Sequence, residues 1–170
     1  PTLTSRRGAD LLPEDHPLNF GRPGVYGHRK ANFVIQNADL LLSIGSRLSI
    51  PLIGRNTESF ARAAKKVIVD IDIHELEKPT LNPDIAICQS ADHFIKELLG
   101  GLSGFDQDYS TWINQCQGLA SNFSIVSEDY QHSTKINPYL FIHQFSEYLQ
   151  ENDIIVYDGG SIMNYIMQTF

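Results

Sequence analysis

The sequence predicts an α/β protein, a parallel sheet flanked by helices. Short apolar runs at Leu40–Ile44, 67–71 and Ile85–Cys88 alternate with segments of helical spacing, which is the pattern of βαβ units. The first two runs stop abruptly, at Gly45-Ser46-Arg47 and at Asp70-Ile71-Asp72. Buried parallel strands end this way where their carboxyl edge faces a nucleotide-sized ligand, because the crevice of an open α/β sheet lies at that edge. A glycine lets backbone approach a ligand, and an acid closing a strand can accept ribose hydroxyls.

Each element follows from local chemistry. Residues 1–20 read as irregular, with a short strand at 2–4 and a loop through Gly8 and Pro13-Glu14-Asp15-His16-Pro17. Gly21-Arg22-Pro23-Gly24 is turn chemistry, since Gly supplies positive φ and Pro presets φ. A helix is expected over 27–37, with Ala31, Val34, Ile35 and Ala38 on one face. The continuous apolar run at 40–44 is expected of a strand covered on both faces. A loop with Pro51 and Gly54 leads to a short helix over 59–64 and then to the second strand, 67–71. One helical turn is expected over 74–77, broken by Pro79, and the third strand follows at 85–88. The helix over 91–99 points Phe94, Leu98 and Leu99 inward. Beyond it, helices are expected over 109–119 and 140–149. A fourth strand over 153–157 ends in Asp158-Gly159-Gly160, and Ser161 opens a last helix to 168.

A domain boundary is expected at Gly100-Gly101-Leu102-Ser103-Gly104, where composition shifts. Residues 1–100 carry 12 Lys and Arg against 12 Asp and Glu, whereas 101–170 carry one Lys against eight acids, which accounts for the whole net charge of −7. No basic face stands out, so nucleic-acid binding is disfavoured. The length of 170 residues suits one domain, or one domain and a piece of another. Because the chain opens at Pro1 rather than Met, a fragment is expected. No apolar run approaches the ~20 residues of a membrane span. Cys88 and Cys116 form no disulfide framework and no CxxC pair, so a reducing cytoplasm is the expected setting and a structural metal site is not expected.

Four constellations can carry chemistry. Gly24-Val25-Tyr26-Gly27-His28 reads either as a backbone loop lying against an anion at a helix N-terminus or as a turn that starts a helix. At Gly45-Ser46-Arg47, the arginine fork can reach a phosphate or carboxylate, or can be a surface arginine after a strand. Asp70 reads as an acceptor for ribose or adenine, and Asp72 as the N-cap of the turn at 74–77. Asp158-Gly159-Gly160-Ser161 lets a phosphate approach a helix N-terminus, or Ser161 simply caps the helix. The sequence contains no GxGxxG, GxxxxGK[ST] or GxSxG, which weakens dehydrogenase, NTPase and serine-hydrolase readings.

In order along the chain, Pro13-Glu14-Asp15-His16-Pro17, Gly21-Arg22-Pro23-Gly24-Val25-Tyr26-Gly27 with Ala31-Asn32, 37–47, Val69-Asp70-Ile71-Asp72 with Glu75 and Lys78, and 155–160 form a series. That series resembles the thiamine-diphosphate-dependent decarboxylases and carboligases, above all the large catalytic subunit of acetolactate synthase. The resemblance implies a Rossmann-like parallel sheet flanked by helices, the central domain of such an enzyme, with one extra strand–helix unit of the next domain. Residues 1–99 are then a central domain incomplete at its N-terminus, 100–150 a linker with lead-in helices, and 151–170 the start of the diphosphate-binding domain.

It further implies a 2-oxo acid substrate, pyruvate decarboxylation with C–C bond formation, thiamine diphosphate with Mg²⁺, and a homo-oligomer, dimer or tetramer, when intact. The family's catalytic glutamate and its Gly-Asp-Gly…Asn-Asn metal segment have no counterpart here, so the chain alone is expected to be inactive, with no catalytic and no metal residue of its own. Only Gly160, Ser161 and Ile162 match positions near the cofactor's diphosphate. In the acetolactate synthase branch the central domain carries FAD, and Tyr26, Gly27, His28, Gly45, Ser46, Arg47, Asp70 and Ile71 match its contact positions. Three departures stand out: Tyr26 replaces a family His, Ile50-Pro51 an Asp-Arg pair, and Gln89-Ser90 a Gly-Asp pair. The alternatives are a non-catalytic nucleotide-binding or regulatory module, and a decarboxylase of the benzoylformate or indolepyruvate type.

Overall fold

The computed structural model describes residues 1–132 and 134–169, leaving aside the side chain of Glu128. Three strands, β1 (Leu40–Ile44), β2 (Lys65–Asp70) and β3 (Ile85–Cys88), form one parallel sheet in the order β1-β2-β3. The registers set Leu42 beside Val67 and Val69 beside Ile87. Around the sheet run α1 (Arg29–Asn37), α2 (Ile50–Ile53), α3 (Ile73–Leu76) and α4 (Ala91–Gly101). Then come α5 (Ser110–Ser121), α6 (Pro138–Ser146) and α7 (Ser161–Thr169). The α/β fold class read from the sequence is therefore the observed one.

Packing explains why the central strand is the best buried. Ile68 and Val69 of β2 are 1% and 0% exposed. Ile68 joins a core with Ile35, Leu48, Ile53, Phe60, Leu76 and Leu81. A second cluster sets Phe20 and Val34 against Cys116 of α5, where burial pushes the thiol above its ordinary value. α6 starts in the expected way for its sequence: Asn137 Oδ1 accepts from the Tyr139 and Leu140 amides, and Pro138 sits where its missing N–H costs nothing.

Several expectations need correction. β1 is not covered on both faces, since Leu40 and Leu42 are exposed. Among the described residues it is an edge strand with a neighbour on one side only. Segment 153–157 is not a strand. A strand exists through its ladder, and no partner strand runs beside this segment among the described residues; Ile154 and Val156 are accordingly about nine-tenths exposed. The expected helix over 59–64 is a 3₁₀ turn at Thr57–Ser59 followed by an irregular corner, because Ala61 takes a left-handed backbone (φ 46°) that no helix continues through. α2 forms inside the expected loop. Leu99 faces solvent rather than the core. α4 runs through Gly100 and Gly101, two residues beyond the expected helix end at 99. At the N-terminus, the expected strand is a single bridge, Thr2 beside Asn19.

Candidate functional site

The carboxyl edge of the sheet opens into a cleft of about 750 Å³, within the range of small-molecule sites. One wall is the loop from Arg22 to Gly27, the other the chain leaving β1 from Gly45 to Leu52. The loop is tightly built. Asn32 of α1 holds Gly24 from both sides, accepting its amide at 2.8 Å and donating to its carbonyl at 2.9 Å. Gly27 has no room for a side chain: a Cβ there lies 2.5 Å from the Pro23 carbonyl carbon and 2.6 Å from the Gly24 nitrogen. The Val25 amide donates to Pro51 O across the cleft floor, tying the two walls together.

His28 lies beneath this loop, 4% exposed. Its Nδ1 accepts from the Arg22 amide at 3.2 Å and its Nε2–H donates to Gln168 O at 2.8 Å. Those bonds fix the neutral Nε2–H tautomer. Burial pulls its pKa down to about 4, and the positive charges of Arg22 and Lys30 act in the same direction. His28 is therefore a structural pin under the loop and does not line the cleft. Arg22, also buried, donates to Met167 O at 2.8 Å, so the end of α7 rests on the loop from behind.

The β1 exit is shaped by Leu48, whose side chain is buried while its backbone is left-handed (φ 47°). Such a backbone in a non-glycine residue costs about 1–3 kcal/mol. Core burial of Leu48 offsets that cost and turns Arg47 outward onto the cleft. Lys78 lies alongside, its ammonium paired with Glu75 and donating to Arg47 O at 2.9 Å. Burial lowers the Lys78 pKa, Arg47 lowers it further, and Asp70 and Asp72 pull it back.

Of the residues singled out in the sequence, Tyr26, Gly27, Gly45, Ser46 and Arg47 line the cleft. Asp70 and Ile71 do not. The Asp70 carboxylate is buried at the end of β2 and accepts the Asp72 amide, while Ile71 faces solvent. Asp72 caps α3 as expected, accepting from the His74 amide. Gly160 and Ser161 begin α7 in the open, away from the cleft. Gln89 is engaged with Glu97, and Ser90 caps α4.

The residues missed are cationic. Arg6, Arg7, Arg22 and Lys78 all line the cleft with Arg47. The Arg6-Arg7 pair beside Gly8 was the available signal; only the fold brings it opposite Arg47. Glu14 pairs with Arg22, and Glu75 with Arg47 and Lys78; five cations against these two carboxylates leave the cleft positive, which attracts an anion. The residues present thus fit a diphosphate. They do not fit a metal: among the described residues no three His, Cys, Asp or Glu side chains come together as a metal-holding group.

Comparisons with known proteins agree with this architecture. Residues 1–98 match the thiamine pyrophosphate enzyme central domain. A probable acetolactate synthase large subunit from Methanocaldococcus jannaschii is 33% identical over 167 residues, 94% of this chain and 28% of that protein. Acetolactate synthase isozyme 1 large subunit of Escherichia coli K12 is 38% identical over 99 residues, 58% of this chain and 17% of that protein. The acetolactate synthase large subunit of Lactococcus lactis is 28% identical over 170 residues, all of this chain and 29% of that protein. The chain spans less than a third of the length of these relatives. With its three-stranded parallel sheet and its match over residues 1–98, the chain belongs to the thiamine pyrophosphate enzymes and carries their central domain.

Proposed function

We propose that this chain is part of a thiamine-diphosphate-dependent carboligase of the acetolactate synthase type, and that its cleft holds the diphosphate of FAD. The observation that carries the reading is the ring of five cations around a cleft at the sheet's carboxyl edge. The similarity to acetolactate synthase large subunits supports the reaction class.

In this reading Arg6, Arg7 and Arg47 meet the diphosphate, while Lys78, paired with Glu75, adds its charge beside the β1 exit. Tyr26 offers an aromatic surface at the rim to a planar ring, and Ile50 and Pro51 form an apolar wall that excludes water from it. Gly45 and Gly27 keep backbone rather than side chain against the ligand. Asp70 shapes the β2 exit and Ile71 stands on the adenosine side. Thiamine diphosphate, when bound, supplies the electron sink for decarboxylating a 2-oxo acid and joining the two-carbon unit to a second carbonyl. Its metal is held by protein other than these residues, with Gly160 and Ser161 near its diphosphate. Assembly is at least dimeric and the setting cytoplasmic.

The test has two arms. The full chain, purified, should show the visible absorbance of oxidised flavin or bind added FAD. The 170 residues alone, given thiamine diphosphate and Mg²⁺, should form no acetolactate from pyruvate. Turnover by these residues alone contradicts the assignment of catalysis elsewhere. Binding of a nucleotide without flavin selectivity favours a regulatory module instead.

A further inference from the structure

The two strand exits that the sequence singles out are joined by an ionic brace. Glu75 of α3 stands between them with its side chain 19% exposed. Its Oε1 forms an ion pair with Arg47 Nε at 3.3 Å, and its Oε2, shut off from solvent, meets the Lys78 ammonium. Lys78 in turn donates to Arg47 O. Arg47 is thereby held by side chain and main chain at once, although its side chain is 76% exposed. Asp70 and Asp72 pull on Lys78 from the β2 side. The brace therefore links the β1 and β2 exits through one lysine.

A carboxylate beside a cationic cleft has two opposed effects. Its charge repels an anionic ligand. Its bonds fix the Arg47 fork before the ligand arrives, which removes an ordering cost from binding. At the exposed mouth water and salt screen the repulsion. Oε2 is already neutralised by Lys78, and that pair, with side chains only 22% and 19% exposed, is screened less. Preorganisation should win.

We infer that Glu75 and Lys78 are positioning residues that act through Arg47 to strengthen binding of a nucleoside diphosphate group. This rests on the reading of the cleft as a dinucleotide site. The test uses ADP as probe, titrated calorimetrically into the full chain. Glu75→Gln should weaken ADP binding about three- to fivefold, the range of an exposed ion pair. On an Arg47→Met background the same change should have no further effect, because the brace works only through Arg47. The Arg47 Nε–H resonance should be ordered in the wild type and averaged in Glu75→Gln, a signature that a purely structural role for α3 would not move. Lys78→Gln keeps a donor for Arg47 O but removes a cleft charge, and should weaken ADP more than Glu75→Gln. Unchanged or tighter binding in Glu75→Gln, or an equal loss on the Arg47→Met background, overturns the positioning role alone. Absence of ADP binding by the wild type overturns the cleft reading and the positioning role with it.

Discussion

Residues 1–99 and 100–169 are built on different terms. The first part holds the whole sheet, all five cations and every lining residue of the cleft but Met167. Thirteen of the buried apolar side chains fall there and three in the second part, among the described residues. The second part is helical and acidic, with exposed apolar side chains at Phe141, Phe145, Tyr148, Ile154 and Val156. The contrast teaches that the order in this chain is set by the parallel sheet. Where the sheet's neighbours are present, glycines and cations are locked. Where the ladder has no partner, as at 153–157, a strand-like sequence stays unpaired.

Paired substitutions probe that contrast, and the largest effect is expected at Ile68. Ile68→Ala, at a buried position of β2, should cost about 3–4 kcal/mol in chemical denaturation. Ile154→Ala, at 89% exposure, should change stability by less than about 0.5 kcal/mol. Equal effects would mean that the second part has its own packed core. Gly27→Ala sets a methyl against three backbone atoms and should cost about 1–3 kcal/mol together with any ligand binding. Gly159→Ala, with nothing within 4 Å, should be silent.

Acid should loosen the loop. His28 is neutral when folded, with a pKa of about 4 against an ordinary 6.5, so the unfolded chain takes up the proton first. Its contribution is complete above pH 6.5 and is lost as pH falls towards 4, by about 3 kcal/mol at most. The stability difference between wild type and His28→Gln, followed from pH 7.5 to 4.5, should shrink as pH falls. A difference independent of pH would show that His28 is not held neutral. The smallest effects are gains. Gly100→Ala, inside α4 with open space around it, should stabilise by about 0.5–1 kcal/mol. Ser43→Ala, whose buried hydroxyl has no hydrogen-bond partner among the described residues, should be neutral or slightly stabilising in the same assay.

The sheet was legible because apolar runs and their stops are local signals. Arg47 and Gly45 were legible for the same reason: they terminate β1. Asp72 was read correctly as a cap because capping involves residues two apart. Asp70 was harder. The sequence shows an acid at a strand end, but only the fold shows its carboxylate taken up by the Asp72 amide. Arg6, Arg7 and Lys78 were not assigned to the site because their placement beside Arg47 depends on long-range packing. Nor does sequence reveal that Leu48 accepts a left-handed backbone, since the cause is its burial rather than its residue type. The 153–157 segment shows the converse limit, for β-propensity describes what a residue does beside a partner strand.

Under the proposed function, a dinucleotide binds at the cationic cleft and not at the exposed Gly160-Ser161 turn. Quenching of FAD fluorescence on titration of the full chain tests it most directly, with Arg47→Met and Ser161→Ala measured side by side over a range of salt. Saturable quenching is expected from the wild type and from Ser161→Ala. Arg47→Met should bind about tenfold more weakly, with a shallower salt dependence, as expected for one lost charge-assisted contact. No quenching by the wild type, or a loss confined to Ser161→Ala, would contradict it.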